Sequence, residues 1–156
     1  MDVFYASPAM TNPLPDLLNA KYVKLDVEAR EKPEAICEVA SLLCDCGCMA
    51  DYAGFSRELI ARDELSSTCM GNGVAFPHAR TDCVNEILLA IGRSEKGVAF
   101  GNERVHLIFV IGTPRSKIKE YLVIVGALAR LLKNGSVRDA LLHAKTSAEF
   151  VGCLAG

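Results

Sequence analysis

With 156 residues and 51% hydrophobic side chains, the chain fits one domain with a sizeable core. The formal net charge of −2 and the lack of a basic tract exclude nucleic acid as the main partner, since nothing would neutralise a run of phosphates. No apolar run approaches the length that spans a bilayer, and residues 1–10 lack the basic-then-apolar order of a secretory signal, so a cytoplasmic protein without direct membrane insertion is expected.

Pro8, Pro13 and Pro15 fall in a stretch of little periodicity, and 1–15 reads as a loose lead-in. Residues 22–27 alternate, with Val23, Leu25 and Val27 on one face, as a half-buried strand does. Ile36, Val39, Ala40 and Leu43 recur at helical spacing, with Pro33 in the first turn and Gly47 in the capping position; the expected helix covers 32–46. Tyr52, Phe55 and Leu59 mark a second helix that should end near Arg62.

In 71–80, Gly71 and Gly73 flank Asn72, a cluster suited to a tight turn with left-handed backbone. A strand over 74–76 should end or reach an edge at Pro77, which has no N–H to give a ladder. His78 is then expected to leave the sheet at its rim. Taken alone, a Pro-His pair is more often a surface-loop histidine than a reactive one.

Residues 87–92 and 105–111 are continuous apolar runs of strand length and read as central strands. Ile118, Tyr121, Leu122, Val125, Leu128, Ala129 and Leu132 form one broad stripe, the signature of a helix packed on a sheet. Thr146 with Glu149 fits a capping box for a short last helix, and Ser136 with Asp139 weakly suggests another before it. Strands and helices alternate without a repeat or linker. The expected fold is a single α/β domain with a mixed central β-sheet flanked by helices on both faces.

Seven cysteines are many for this length, and Cys44, Cys46 and Cys48 alternate. A metal site is the sharper reading, but tight zinc sites pair Cys-x-x-Cys units with a second ligand pair, which is not evident here. An odd count weakens a disulfide framework, and a reducing cytosol would keep the thiols free.

The segment from Arg62 through Ser67-Thr68 to Gly71-Asn72-Gly73 and Pro77-His78 resembles the enzyme IIA domain of the fructose/mannitol class of the bacterial phosphotransferase system, nearest its nitrogen-regulatory branch. Downstream, 105–110 followed by Thr113-Pro114 is similar to the family's later strand, and 120–132 to its following helix. The resemblance assigns 16–156 to a type-2 IIA domain. It implies that His78 is the catalytic residue, accepting a phosphoryl group through Nε2 from a phosphohistidine on a small HPr-like carrier protein. It also implies a phosphate-binding role for Arg62, whose guanidinium offers fixed donors to phosphate oxygens, and for Ser67 and Thr68 through hydroxyl or backbone donors. Capping and turn roles are equally open to the latter two. No cofactor and no metal are implied.

Histidine suits a carrier: its unperturbed pKa of about 6.5 leaves much of it neutral, and a bond to one ring nitrogen selects the other for attack. Three departures from the family pattern stand out. Tyr121 occupies the position where many members carry a second histidine; it is either a core aromatic or a phenol that donates to a phosphoryl oxygen. Ser66 and Cys69 stand where glycines are common, a change expected to stiffen the loop. His106, inside an apolar run, and His143, near a helix end, are assigned no role.

Two functions follow from the resemblance. The first is a phosphocarrier that passes the group onward, for example to a sugar-transporter IIB subunit. The second is a regulatory module whose target protein reads the phosphorylation state of His78. No transporter or second carrier domain lies within these residues, which favours the second modestly. A cysteine-based metal or redox protein is a third and weaker reading.

Overall fold

The computed structural model describes residues 13–155, and the lead-in expected over 1–15 lies outside the described residues as far as residue 12. A one-turn helix, α1 (Leu14–Leu17), already occupies the end of that stretch.

Two long strands organise the molecule. β5 (Leu88–Phe100) and β6 (Glu103–Thr113) form an antiparallel hairpin whose register runs from Leu88 opposite Gly112 to Phe100 opposite Glu103. On one side β1 (Val23–Lys24) runs parallel to β5. On the other, β3 (Val74–Ala75) and β4 (His78–Arg80) run parallel to β6, and β2 (Cys69–Gly71) closes the edge antiparallel to β3. The sheet is therefore mixed, in the order β1-β5-β6-β3-β2 with β4 also on β6.

Helices cover both faces. Leu89, Ile91, Phe109 and Ile111 point to a layer with Leu128 of α4 (Ile118–Lys133), Leu141 of α5 (Gly135–His143) and Phe150 of α6 (Ser147–Ala155). Leu88, Ala90, Ile108 and Val110 point the other way, onto Ile36 of α2 (Lys32–Ala40) and Phe55 of α3 (Tyr52–Leu65). With helices on both sides, 88–92 of β5 and 107–113 of β6 are buried without a break, which is why these parts of the strands read as continuous apolar runs. Burial of each such large side chain contributes roughly 1.5–3 kcal/mol. No described helix is long and apolar enough to cross a membrane.

Several expected elements have different bounds, each for a local reason. The strand expected over 22–27 pairs only at Val23 and Lys24; Val23 and Leu25 pack with one layer while Val27 packs with the other. Once the ladder breaks, a single-residue slip moves a side chain to the opposite face. The helix expected over 32–46 stops at Ala40 and tightens into a 3₁₀ turn over Ser41–Leu43, where the Ser41 hydroxyl donates to the Glu38 carbonyl at 2.7 Å. α3 continues to Leu65, so Arg62 lies in its last turn. Asn134, not Ser136, caps α5, accepting from the N–H groups of Ser136 at 2.8 Å and Val137 at 3.3 Å. The Thr146–Glu149 cap forms: Thr146 Oγ1 accepts from the Glu149 N–H at 3.0 Å.

The segment 69–80 departs most usefully from expectation. β2 and β3 make a hairpin whose two-residue turn, Asn72-Gly73, has φ of +58° and +76°. Those values suit asparagine and glycine and match a primed hairpin turn. His78 does not leave the sheet. After Pro77 the chain resumes pairing, with His78, Ala79 and Arg80 opposite Ile111, Gly112 and Thr113. Pro77 lacks an N–H, but its carbonyl still accepts from Ile111 at 3.0 Å, so the ladder with β6 is only nicked.

Candidate functional site

β4 pairs with β6 on one side and with no described strand on the other, so His78 stands in an edge strand. Side chains alternate along it: Ala79 faces the α2–α3 layer, while His78 and Arg80 share the opposite face. α3 packs against this strand. It packs closely because Gly112, beside Ala79, has no side chain; a Cβ there would lie 2.7 Å from Phe55 Cε1. The last turns of α3 and the first turns of α4 then flank β4, enclosing an open depression of about 530 Å³. Arg62 and Glu58 line it from α3, His78 and Arg80 from β4, and Tyr121 from α4.

His78 is half-buried, and its Nδ1–H donates to the carbonyl of Phe76 at 2.9 Å. A carbonyl only accepts, so this contact places the proton on Nδ1 and leaves Nε2 with its lone pair. Burial holds the imidazole pKa below its ordinary value, and the neighbouring Arg62 guanidinium lowers it further, against the opposing effects of the Phe76 bond and Asp63. The ring is therefore neutral around pH 7, the form a nucleophile needs.

Tyr121 is 9% exposed and its ring lies 5.7 Å from that of His78, tilted by 40°. The site thus pairs an imidazole with a phenol. Burial raises the phenol pKa despite Arg62 and Arg80 nearby, so the hydroxyl remains a neutral donor. Arg62 uses Nη1 to cap the end of α3, donating to the Ser66 carbonyl at 3.0 Å, which anchors the guanidinium while other N–H groups stay available.

Of the five residues expected at the site, His78, Arg62 and Tyr121 meet in the depression; Ser67 and Thr68 do not line it. Ser67 Oγ accepts from the Cys69 N–H at 3.2 Å, a turn role. Thr68 is buried, and both its hydroxyl, at 2.7 Å, and its N–H, at 3.2 Å, donate to Oδ1 of Asp63. Ser66 has extended backbone at φ −165°, and Asn72 is the one non-glycine described residue with positive φ, so neither Ser66 nor Cys69 occupies a position that demands glycine.

Arg80 went unrecognised in the sequence, although its place two residues past His78 puts it on the same strand face. Glu58 also went unrecognised; its Oε2 accepts from the Thr81 hydroxyl at 2.9 Å and the Cys83 thiol at 3.4 Å. His106 and His143 are satisfied elsewhere, by the carbonyls of Ser94 and Asp139, each at 2.8 Å. All seven cysteines are free, and no cluster of His, Cys, Asp or Glu among the described residues is arranged to hold a metal ion.

A mixed sheet between two helical layers is the architecture the chain shares with solved phosphotransferase IIA domains of the α/β class. The chain belongs to the EIIA 2 family of the phosphoenolpyruvate-dependent sugar phosphotransferase system, whose model matches residues 16–155. It is 31% identical over 134 residues to the fructose-specific EIIABC component of Bacillus subtilis, covering 84% of this chain and 21% of that protein. The chain therefore spans about a fifth of that relative's length. Among solved structures, the nitrogen regulatory protein IIA-Ntr from Neisseria meningitidis superposes with a TM-score of 0.82 at 29% identity, over 90% of this chain and 97% of the other. The mannitol enzyme IIA of Escherichia coli, solved in complex with phosphorylated mannitol enzyme IIB, gives a TM-score of 0.78 at 25% identity, over 89% and 97% of the two chains.

Proposed function

We propose that the protein is a phosphocarrier in which Nε2 of His78 accepts a phosphoryl group from a phosphohistidine on an HPr-like carrier protein. The P–N bond to the donor imidazole breaks, its electron pair returns to that ring, and a new P–N bond forms to Nε2 of His78. The observation that carries this reading is the Phe76 carbonyl holding the proton on Nδ1, which leaves a lone pair on Nε2 in an open depression. Arg62, Arg80 and the Tyr121 hydroxyl supply donors to the three equatorial oxygens, where charge is spread in such transfers. Ser67 and Thr68 support the site by shaping the turn that precedes it.

An imidazole in an open hollow suits a donor that is itself a protein, because in-line transfer requires the two rings to be covered together. The rim fits such a partner. Leu65, 84% exposed, lines the depression, and Leu122, 59% exposed, follows Tyr121; exposed apolar side chains beside a functional hollow are characteristic of a docking face. Onward transfer to a sugar-transporter IIB subunit is supported by the mannitol neighbour solved with its IIB partner. A regulatory role, with a target protein reading the charge on His78, is supported by the nitrogen-regulatory neighbour.

Incubation with the phosphorylated carrier protein should label the chain in a base-stable, acid-labile form, and His78→Ala should abolish labelling. Label that persists in His78→Ala would refute the assignment. Comparison of partners captured by wild type and His78→Asp separates the two roles, since identical sets count against a switch.

A further inference from the structure

One buried ionised group near His78 takes no part in this chemistry. Asp63 is 3% exposed, and its carboxylate bridges two elements. Oδ2 pairs with Lys32 Nζ of α2 at 2.6 Å, and Oδ1 accepts from the N–H and hydroxyl of Thr68. Burying a carboxylate costs several kcal/mol even when it is paired, so its place beside the site calls for an account.

The bonds continue from Thr68 to the imidazole. The Thr68 carbonyl accepts from the Phe76 N–H at 2.9 Å, and the Phe76 carbonyl accepts from His78 Nδ1–H at 2.9 Å. Because the next residue is proline, the Phe76–Pro77 peptide has no N–H, and its carbonyl is the one polar group it can orient. The Phe76 N–H bond to Thr68 and the Pro77 carbonyl bond to Ile111 hold that peptide from either side. Ile111 belongs to a central strand. Thr68 lies on the short connection between α3 and β2, and Asp63 is what ties it down.

We infer that Asp63, held by Lys32, is a positioning residue that acts through Thr68 and the Phe76 carbonyl to keep the His78 proton on Nδ1, and so selects Nε2 as the acceptor nitrogen. Neutral imidazole carries one proton, and the hydrogen bond to one nitrogen decides which. If the Phe76 carbonyl swings away, the proton can settle on Nε2 and the lone pair then faces the backbone. The kinetic consequence of this inference rests on the phosphocarrier reading; the tautomer does not.

The test is a long-range ¹H–¹⁵N correlation spectrum of the His78 ring at pH 8 for wild type, Thr68→Val, Thr68→Ser and Asp63→Asn. Wild type and Thr68→Ser should show a protonated Nδ1 and an unprotonated Nε2. Thr68→Val and Asp63→Asn should move both nitrogen shifts toward each other as the second tautomer becomes populated. Their phosphorylation by the carrier should slow by about tenfold, the order expected for a misplaced reacting group, while Thr68→Ser keeps the wild-type rate. A wild-type nitrogen pattern in Thr68→Val would overturn the inference and reduce the network to a structural staple. Should Asp63→Asn fail to fold, the Thr68 pair alone decides. A wild type that shows the expected tautomer but takes up no phosphoryl group would defeat the phosphocarrier reading and leave this one standing.

Discussion

Replacing Tyr121 by phenylalanine separates the two roles open to this residue. The ring packs in the core layer formed with α4, and phenylalanine keeps that packing. The hydroxyl has no hydrogen-bond partner among the described residues and is not sealed from solvent, so its loss should change folding stability by no more than about 0.5 kcal/mol. At the site the expectation is different. A phenol whose ring lies 5.7 Å from that of His78, in an open hollow with two guanidiniums, can donate a charge-assisted hydrogen bond to a phosphoryl oxygen on Nε2. Such a bond is worth about 1.5–3 kcal/mol, which predicts a phosphorylation rate lower by roughly 10- to 150-fold. Quenched-flow labelling from the phosphorylated carrier measures the rate, and a thermal melt reports stability on the same samples. A wild-type rate with an unchanged melt would show that the hydroxyl touches nothing that matters, and Tyr121 would stand as a core aromatic alone.

Arg80→Gln tests the second guanidinium: it is exposed and makes no ion pair among the described residues, so the melt should be unchanged while labelling slows by about five- to tenfold. An unchanged rate would leave Arg62 as the sole cation of the site. The pH dependence follows from His78, whose folded pKa lies below its ordinary value of 6.5 because of burial and Arg62. Between the folded and unfolded values the unfolded chain binds more protons, so this residue's contribution to stability is complete above about pH 6.5 and is lost as pH falls through the folded value. The accepting form should likewise persist below pH 6.5. A His78 ring titration with its midpoint at or above 6.5, read by NMR, would contradict this.

How much of the site was legible depended on the range of the forces involved. Asn72-Gly73 and Pro77 act through their own backbone restrictions, so the turn and the nick in the strand can be read locally. What cannot be read locally is what Pro77 does to His78: the pull of β6 returns the chain to the sheet, and pairing partners more than 30 residues away leave no trace in the segment. Arg80 could have been found from strand alternation, had 78–80 been recognised as a strand. Ser67 and Thr68 show the reverse, since the sequence places both beside the motif while the fold turns the Thr68 hydroxyl onto Asp63. The polar stretch Ser94-Glu95-Lys96 hid the second half of β5, which pairs again with β6 beyond a bulge.

The sequence by itself determined the two-sided sheet and the helical layers, because periodicity and backbone restriction are properties of neighbouring residues, whereas His78 was singled out by the resemblance of its segment to a family. Only the tertiary structure decided the company that histidine keeps. Arg62, Arg80 and Tyr121 come from three separate elements, and the hydrogen bonds that fix the imidazole run through Phe76 and Thr68 to a buried carboxylate of α3 that pairs with Lys32 of α2. For the α3 residues among them, Gly112 leaves the room that lets Phe55 and its helix pack on the sheet, a matter of packing across the chain that no local pattern records.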